Sequence, residues 1–263
     1  RPIKINNMGL NNHTFDFYTE VSKGLVPKHF LVHKFGHNLD IDTLTDPETI
    51  WTAGGLYTFP TSADTLKIVS NDVDDNGTGT TGALTIKVQG LDTNYDVIEE
   101  DFTLNGQAAV TGNKQFLRVY RAFVTSAGSN EHNEGTITIN NSDDSLTLAE
   151  IPAEHSQTQM AVYTIPANHK GYLVAFSGSM AKATPSSICV LEMIFRKNGV
   201  KRVKQNICID TTGSTSFIKY FKCPLEIQEK TDVFVNAREV SQNNTGVFSN
   251  FAMIIVDQSE KYK

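Results

Sequence analysis

The sequence predicts an all-β protein: two antiparallel β-sandwich domains, the C-terminal one jelly-roll-like, preceded by an extended N-terminal arm. Residues 158–257 contain apolar runs of strand length separated by turn signals, without helical periodicity between them. Residues 64–139 contain shorter alternating segments, whereas loop signals dominate at the start of the chain. We therefore divide the chain into an arm, residues 1–60, a β-sandwich, residues 61–155, and a C-terminal sandwich, residues 156–263.

The composition is that of a globular protein rich in turns and exposed strand faces. Of the 263 residues, 39% are hydrophobic and 20% are charged. No apolar run approaches the roughly 20 residues that span a bilayer, and the N-terminus lacks the apolar core of a signal peptide. We therefore expect no membrane partner.

The charge is distributed unevenly along the chain. Residues 1–155 hold 10 Lys and Arg against 21 Asp and Glu, whereas residues 156–263 hold 13 against 8. Two halves of opposite sign could stack copies head to tail or face different neighbours, and solvated faces of different sign are the alternative.

The first 60 residues are rich in Asn, Gly and Pro and contain two candidate short strands, at residues 14–21 and 29–35. Residues 46–51 could form a single helical turn. A run this long without regular structure is uncommon inside a domain, so we expect an arm that becomes ordered on a neighbouring subunit. Its expected apolar anchors are Phe15, Phe17, Phe30, Phe35 and Trp51.

The middle region alternates apolar and polar residues in short segments separated by Asp, Asn and Gly. Six or seven short strands with this spacing predict a small sandwich, and residues 141–155 are interpreted as a polar junction. The last third has longer strands, seven or eight in number, with Asn198-Gly199 marking a two-residue type I′ hairpin. Cys189 and Cys208 lie between Ile and Val residues there and are expected to be buried free thiols.

Residues 72–77 have the order D-x-D-x-N-G, with which an EF-hand calcium loop begins. The twelfth position is Ala83 instead of Glu, and no helical pattern flanks the stretch, which excludes an EF-hand. Weak calcium binding through Asp72, Asp74 and Asn76 remains as the alternative to a solvated turn.

The other chemical motifs are sparse. His29, His33 and His37 recur every four residues and would align on a helix, but neighbouring Pro, Gly and β-branched residues disfavour one. Residues 179–182 read S-x-x-K without the companion motifs of that chemistry. There is no P-loop, no dinucleotide fingerprint and no nucleophile elbow, so we expect no enzyme and no cofactor.

A cluster of basic residues surrounds the predicted hairpin turn. It could bind an acidic protein surface or be a solvated edge that discourages aggregation. Nucleic acid is disfavoured because no aromatic residue lies within the tip. The basic residues are Arg196, Lys197, Lys201, Arg202 and Lys204.

Stretches in all three regions carry a family resemblance. At the N-terminus these are residues 32–42, 46–48, Trp51 and residues 54–57. In the middle region they are residues 90–95, 103–106 and 120–128. In the C-terminal region they are residues 163–167, 171–172 and 229–232. Together these stretches resemble structural proteins of tailed, often marine, bacteriophages.

The resemblance implies a virion component assembled in the host cytoplasm. It would be a capsid decoration or cement protein, or a neck or tail component, acting as a symmetric homo-oligomer with other virion proteins as partners. A glycan-binding adhesin or fibre-like module that recognises the host is the alternative, for which Tyr163, Phe217, Tyr220 and Phe248 could supply aromatic contacts.

Overall fold

The computed structural model describes residues 16–43, 46–181 and 185–259, and its fold is all-β, as predicted. Within this part of the chain, no helix is long and apolar enough to cross a membrane. The first elements are α1 (Phe17–Ser22), β1 (His29–Ile41) and β2 (Glu48–Thr49). The next strands are β3 (Asp64–Ser70), β4 (Ala83–Leu91), β5 (Val97–Thr103), β6 (Val110–Phe116), β7 (Arg118–Ala127), β8 (Ile137–Asn141) and β9 (Thr147–Ile151). The last are β10 (Val162–Thr164), β11 (His169–Ala181), β12 (Ile188–Lys197), β13 (Val200–Asp210), β14 (Ser216–Ile227), β15 (Asp232–Val240) and β16 (Thr245–Asp257).

The C-terminal region is a jelly roll whose first strand comes from the N-terminal part of the chain. One sheet has the order β1-β16-β11-β14 and the other has the order β10-β15-β12-β13, with β2 added beside β15. The jelly roll has eight strands, β1 and β10 to β16, which can be numbered one to eight in chain order. The first sheet then has the order one, eight, three, six, and the second has the order two, seven, four, five. This is the strand order of a jelly roll.

The middle region is a second sandwich inserted between the first and second strands of that jelly roll. Its sheets have the orders β6-β3-β8-β9 and β5-β4-β7, and all pairs are antiparallel. Strand β1 pairs with β16 over almost its whole length, so the two ends of the described chain lie in adjacent strands. The insertion leaves and rejoins the jelly roll at the β1–β10 side.

Two hydrophobic cores hold the protein together. The first lies between the jelly-roll sheets and includes Leu191 and Phe251. The second fills the inserted sandwich and extends onto Ile194 and Phe234, which belong to jelly-roll strands. The ring centroids of Phe59 and Phe234 are 5.2 Å apart. The inserted sandwich therefore shares its core with the outer face of the jelly roll.

The expected arm is wrong for residues 29–41, which form a 13-residue strand of the jelly roll. The sequence of this strand lacks the usual alternation of apolar and polar residues. The positions that face the opposite sheet include Lys34, Gly36 and Asn38, which are buried although none is a large apolar residue. A Cβ on Gly36 would lie 2.6 Å from the amide nitrogen of Ala161, so only glycine fits this close approach. Residues 1–15 lie outside the described residues.

Three local predictions are also corrected. Residues 17–22 are helical where a strand was expected, and β2 replaces the helical turn expected at residues 46–51, because Thr49 pairs with Asn236 of β15. The polar junction at residues 141–155 contains β9, which pairs with β8 and buries Leu148 in the second core.

Candidate interaction surfaces

A buried ion-pair network joins the two sandwiches. Asp232 of β15 is 2% exposed. Its Oδ1 accepts from Nε of Arg118 of β7 at 2.8 Å and from the hydroxyl of Thr164 at 2.7 Å. Its Oδ2 accepts from Nη1 of Arg196 of β12 at 2.6 Å. One carboxylate therefore binds two guanidinium groups, one from each sandwich.

The hydrophobic surroundings complete this network. The guanidinium carbons of Arg118 and Arg196 lie 5.3 and 5.1 Å from the ring centroid of Phe59. Arg118 also donates from Nη1 to the carbonyls of Pro60 at 2.8 Å and Leu117 at 2.9 Å. The group is thus a structural joint between the sandwiches, and no sequence signal pairs Arg118 with a residue more than 100 positions away.

We call residues 196–204, the predicted hairpin turn with its cluster of basic residues, the basic hairpin. Asn198 and Gly199 have φ values of 52° and 78°, which confirms the type I′ turn between β12 and β13. The expectation for Arg196 is corrected, because its guanidinium binds Asp232 within the chain. Lys197 donates to Oε1 of Gln228 at 2.9 Å.

Three cations of the basic hairpin are open to solvent: Lys201, Arg202 and Lys204. Lys201 Nζ lies 5.9 Å from the ring centroid of Phe234, and Lys204 Nζ lies 5.6 Å from that of Phe195. The strand that carries them, β13, is the last strand of its sheet. The hairpin therefore presents positive charge along a free sheet edge.

Four loops meet at one end of the inserted sandwich and form the acidic loop end, residues 71–82, 105–108, 128–136 and 152–156. Backbone hydrogen bonds join them, including Gly106 N to Asp75 O at 2.8 Å and Glu154 N to Asn133 O at 2.8 Å. The loops contain six Asp and Glu and no Lys or Arg. This end of the protein is therefore strongly negative.

Asp75 organises the acidic loop end from inside. It is fully buried. Its Oδ1 accepts from the amides of Ala83 at 2.9 Å and Glu134 at 2.8 Å. Its Oδ2 accepts from the amide of Gly135 at 2.9 Å and the hydroxyl of Ser70 at 2.6 Å. This role was not predictable from the sequence, because nothing in the local pattern distinguishes Asp75 from its acidic neighbours.

The candidate calcium ligands make turn hydrogen bonds. Asp72 Oδ1 accepts from the amide of Asp74 at 2.9 Å, and Asn76 Oδ1 accepts from the amide of Thr78 at 3.0 Å and from its hydroxyl at 2.9 Å. In the described ranges, no group of three or more His, Cys, Asp or Glu is placed to hold a metal ion. The alternation of oxygen ligands is used here to stabilise Asx turns.

His29, His33 and His37 all lie in β1. In a strand, residues four positions apart are separated by roughly 13 Å, so these side chains cannot bind the same metal ion. His29 Nδ1 lies 2.8 Å from the carbonyl oxygen of Pro27. The ring of His37 is 5.9 Å from that of His155 and 5.5 Å from that of Phe248. Burial, and then the neighbouring His155, lower the pKa of His37.

The aromatic residues expected to anchor the arm have different environments. Trp51 is buried in the second core, with its ring 5.0 Å from that of Tyr57, so its assignment as an anchor on a neighbour is wrong. Phe17 is exposed on α1, 5.9 Å from the ring of His29. Phe30 is exposed and Phe35 is half-buried, both in β1. Phe15 lies outside the described residues.

The sheet β1-β16-β11-β14 has an apolar outer face. Phe217 and Phe221 point to the core, so the alternate positions 218 and 220 of β14 face outward. Ile218 and Tyr220 are 69% and 76% exposed there. Phe248 of β16 is also exposed on this sheet, whereas Tyr163 is buried in the first core.

A groove of about 360 Å³ lies between the two sandwiches, bounded by β1, β7 and residues before and within β10. We call it the interdomain groove. Its polar lining residues are His33, Lys34, Gln89, Arg121, Gln157 and Thr158, and its aromatic lining residues are Phe35, Tyr120 and Tyr163.

Lys34 is the most unusual residue of the interdomain groove. It is 7% exposed, and its Nζ donates to the carbonyl of Tyr120. Burial, and then the charge of Arg121, lower the pKa of Lys34 to about 7. Burial also raises the pKa of Tyr120 to about 12. The burial of Lys34 was not predictable from the sequence, because a single lysine in a loop-rich stretch gives no signal of burial.

The cysteines agree with the predictions in part. Cys189 is buried, and burial raises the pKa of its thiol to about 12. Cys208 is exposed, which corrects the expectation of burial: it alternates with Ile209, which faces the core.

Comparison with known proteins yields little. No protein-family model matches the chain, and no curated protein matches it. The chain is similar to the VP2 subviral particle of infectious bursal disease virus at 10% identity, over 89% of this chain and 73% of that chain, with a TM-score of 0.23. It is similar to infectious bursal disease virus Gt strain at 9% identity, over 94% and 79%, with a TM-score of 0.19. TM-scores this low carry no functional argument.

Proposed function

We propose that this chain is a non-enzymatic structural protein of a tailed-phage virion, assembled in the host cytoplasm as a capsid decoration protein or as a neck or tail component. The jelly-roll strand order supports a structural role, since this architecture is common in viral capsids. Lectins and cupins share it, so the fold by itself does not decide function. The sequence resemblance to phage structural proteins supports the phage assignment.

One observation carries the proposal: charge of opposite sign lies at opposite ends of β4. This strand begins at Ala83, whose amide donates to Asp75 in the acidic loop end. The strand ends at Leu91, which pairs with Arg118 of β7. Arg118 and Arg196, the first residue of the basic hairpin, both bind Asp232, so the basic hairpin begins near this end of β4. A nine-residue strand is roughly 30 Å long, so the two clusters are well separated.

A protein with opposite charges at two ends favours head-to-tail contacts. The basic hairpin of one copy can approach the acidic loop end of the next, which gives a heterologous interface that closes into a ring or continues as an array. Complementary charge also steers such association and suppresses wrong pairings. Symmetric copies on a capsid or tail are built from contacts of this kind, with other virion proteins as further partners.

The test is self-association at low ionic strength, measured by sedimentation velocity on wild-type protein and on the double variant Lys201→Glu/Arg202→Glu. We expect the variant to lose the oligomers that wild type forms, and salt to weaken the wild-type oligomers. The variant Lys67→Glu/Lys114→Glu changes the net charge equally on the inserted sandwich and serves as the control.

Restoration then decides between specific docking and a general charge effect. A variant with Glu131→Lys and Glu154→Lys in the acidic loop end should not self-associate, but should form mixed oligomers with the basic-hairpin variant. Wild-type protein that stays monomeric at all concentrations, or control and hairpin variants that behave alike, would contradict the proposed contact.

The second candidate is a glycan-binding module that recognises the host. It is favoured by Tyr220, which is 76% exposed on the outer sheet face, and by the exposed Phe248. Tyr163 and Phe217 offer no such contact on the outer sheet face, because Tyr163 belongs to the first core and Phe217 packs at 5.0 Å against Phe176. A glycan-array signal that Tyr220→Ala abolishes would support this function, and an array without signal would remove it.

A further inference from the structure

We propose that the interdomain groove is a binding site for a small organic carboxylate, held by the cations of Lys34 and Arg121 against aromatic walls. The proposal does not rest on the virion role, since the groove lies apart from the basic hairpin and the acidic loop end. It rests on the charge, the shape and the lining of the groove.

Arg121 and the protonated form of Lys34 give the groove a positive charge. Of the described residues that line it, none is Asp or Glu. The neighbouring carboxylate of Glu99 accepts from Lys87 at 2.8 Å and from Gln89 at 3.3 Å, so it is already bound on the sheet surface. Charged groups are rarely buried without a partner of opposite charge, because desolvation is unfavourable. An anion in the groove would supply that partner.

The donors that line the groove suit a carboxylate. The ammonium of Lys34 has three donors, and the structure gives one of them to the carbonyl of Tyr120. Arg121 also lines the groove, but its side chain is exposed, with its guanidinium carbon 4.4 Å from the ring centroid of Phe123. A buried point charge on one side and a planar fork on the other match the two oxygens of a carboxylate.

The shape of the groove indicates a ligand with a ring-sized body. Its volume of about 360 Å³ lies at the lower end of the range of small-molecule sites, and its position between two domains is a common one for such sites. The rings of Tyr120 and Tyr163 lie 4.9 Å apart and form one wall. Gln89, Gln157 and Thr158 add neutral hydrogen-bonding groups, as hydroxyl-rich ligands require.

Calorimetric titration with glucuronate tests the proposal, with glucose as the neutral probe of the same shape and benzoate as an apolar ring carboxylate. We expect glucuronate or benzoate to bind and glucose not to bind. Lys34→Met should weaken carboxylate binding about tenfold or more, as expected for loss of a charged hydrogen bond. Lys114→Met, which removes a cation from β6 in the other sheet of the inserted sandwich, should leave binding unchanged.

The pH dependence gives a second readout, because carboxylate binding requires the protonated form of Lys34. Binding should weaken as the pH rises through about 7, the lowered pKa of this group, and Lys34→Met should abolish that dependence. His33→Gln separates the contribution of the histidine beside it. The titratable and charged groups that face Lys34 or border the groove are His33, Tyr120, Arg121, Tyr163 and, beyond Gln89, Glu99.

Three results would overturn the proposal. The first is an absence of binding by both carboxylates at pH 6. The second is equal binding of glucose and glucuronate, and the third is full carboxylate binding by a folded Lys34→Met variant. Thermal melting of each variant shows whether it is folded, and none of these outcomes depends on self-association.

Discussion

Nε of Arg118 lies 2.8 Å from Oδ1 of Asp232, and this contact joins the inserted sandwich to the jelly roll. Both side chains are about 95% buried, and Arg196 binds the second carboxylate oxygen. The relative position of the two sandwiches therefore depends on one carboxylate as well as on their shared apolar core.

Asp232→Asn should destabilise the protein strongly. The substitution keeps the shape of the side chain but leaves two guanidinium groups near the core without a negative charge. Breaking a buried ion pair in this way costs about 3 to 5 kcal/mol in the free energy of unfolding. Urea denaturation measures it, and Asp144→Asn, which breaks an exposed pair with Lys67, is the control expected to change little. Equal effects of the two variants would show that the network is not a joint.

Asp75→Ala should loosen the acidic loop end. Three backbone amides, those of Ala83, Glu134 and Gly135, lose their acceptor. We expect a loss of about 3 kcal/mol or more, since hydrogen bonds to charged groups each contribute about 1.5 to 3 kcal/mol. Amide hydrogen exchange at these positions should accelerate, whereas Asp74→Ala should leave it unchanged. Unaltered protection in Asp75→Ala would contradict the role assigned to this carboxylate.

Gly36→Ala should disturb the attachment of β1. The new Cβ would meet three backbone atoms of neighbouring segments at 2.6 to 2.8 Å, and backbone cannot move aside as a flexible side chain can. We expect a loss of about 3 kcal/mol, at the upper end of the usual overpacking effect. Gly246→Ala is the matched control, because the nearest atom there is at 3.6 Å. Thermal melting compares the two, and similar melting temperatures would argue against the tight insertion of β1.

The stability of the protein should rise with pH between about 7 and 8.5. Folding lowers the pKa of Lys34 from 10.5 to about 7, so the unfolded chain binds more protons in this window. The free energy of unfolding should increase by about 1 kcal/mol per pH unit, and Lys34→Met should remove the increase. The pKa of Cys189 is raised to about 12, so this thiol should lower the stability as the pH rises, but only above this window. Denaturation in buffers free of organic carboxylates measures the slope, and equal slopes in both proteins would contradict it.

Local features were predictable from sequence because their causes are local. The hairpin at Asn198-Gly199 follows from two residues that tolerate positive φ, and β12 and β13 follow from alternation on either side. The free basic edge at Lys201 and Arg202 follows from the same short stretch. The candidate site was predictable to this extent. The prediction that Arg196 contacts a partner protein was wrong, because its guanidinium binds Asp232, which is 36 residues away in the sequence.

The sequence by itself determined the all-β class, the hairpins and the opposite charge of the two halves, since strand periodicity, turn chemistry and net charge are properties of short segments or of composition. Only the tertiary structure decided that β1 completes the jelly roll beside β16, that Arg118 pairs with Asp232 and that Lys34 is buried in a groove. These features depend on residues distant in sequence. A strand whose inward positions are Lys34, Gly36 and Asn38 has no apolar pattern of its own, and its place is set by the β16 backbone and the neighbouring sandwich.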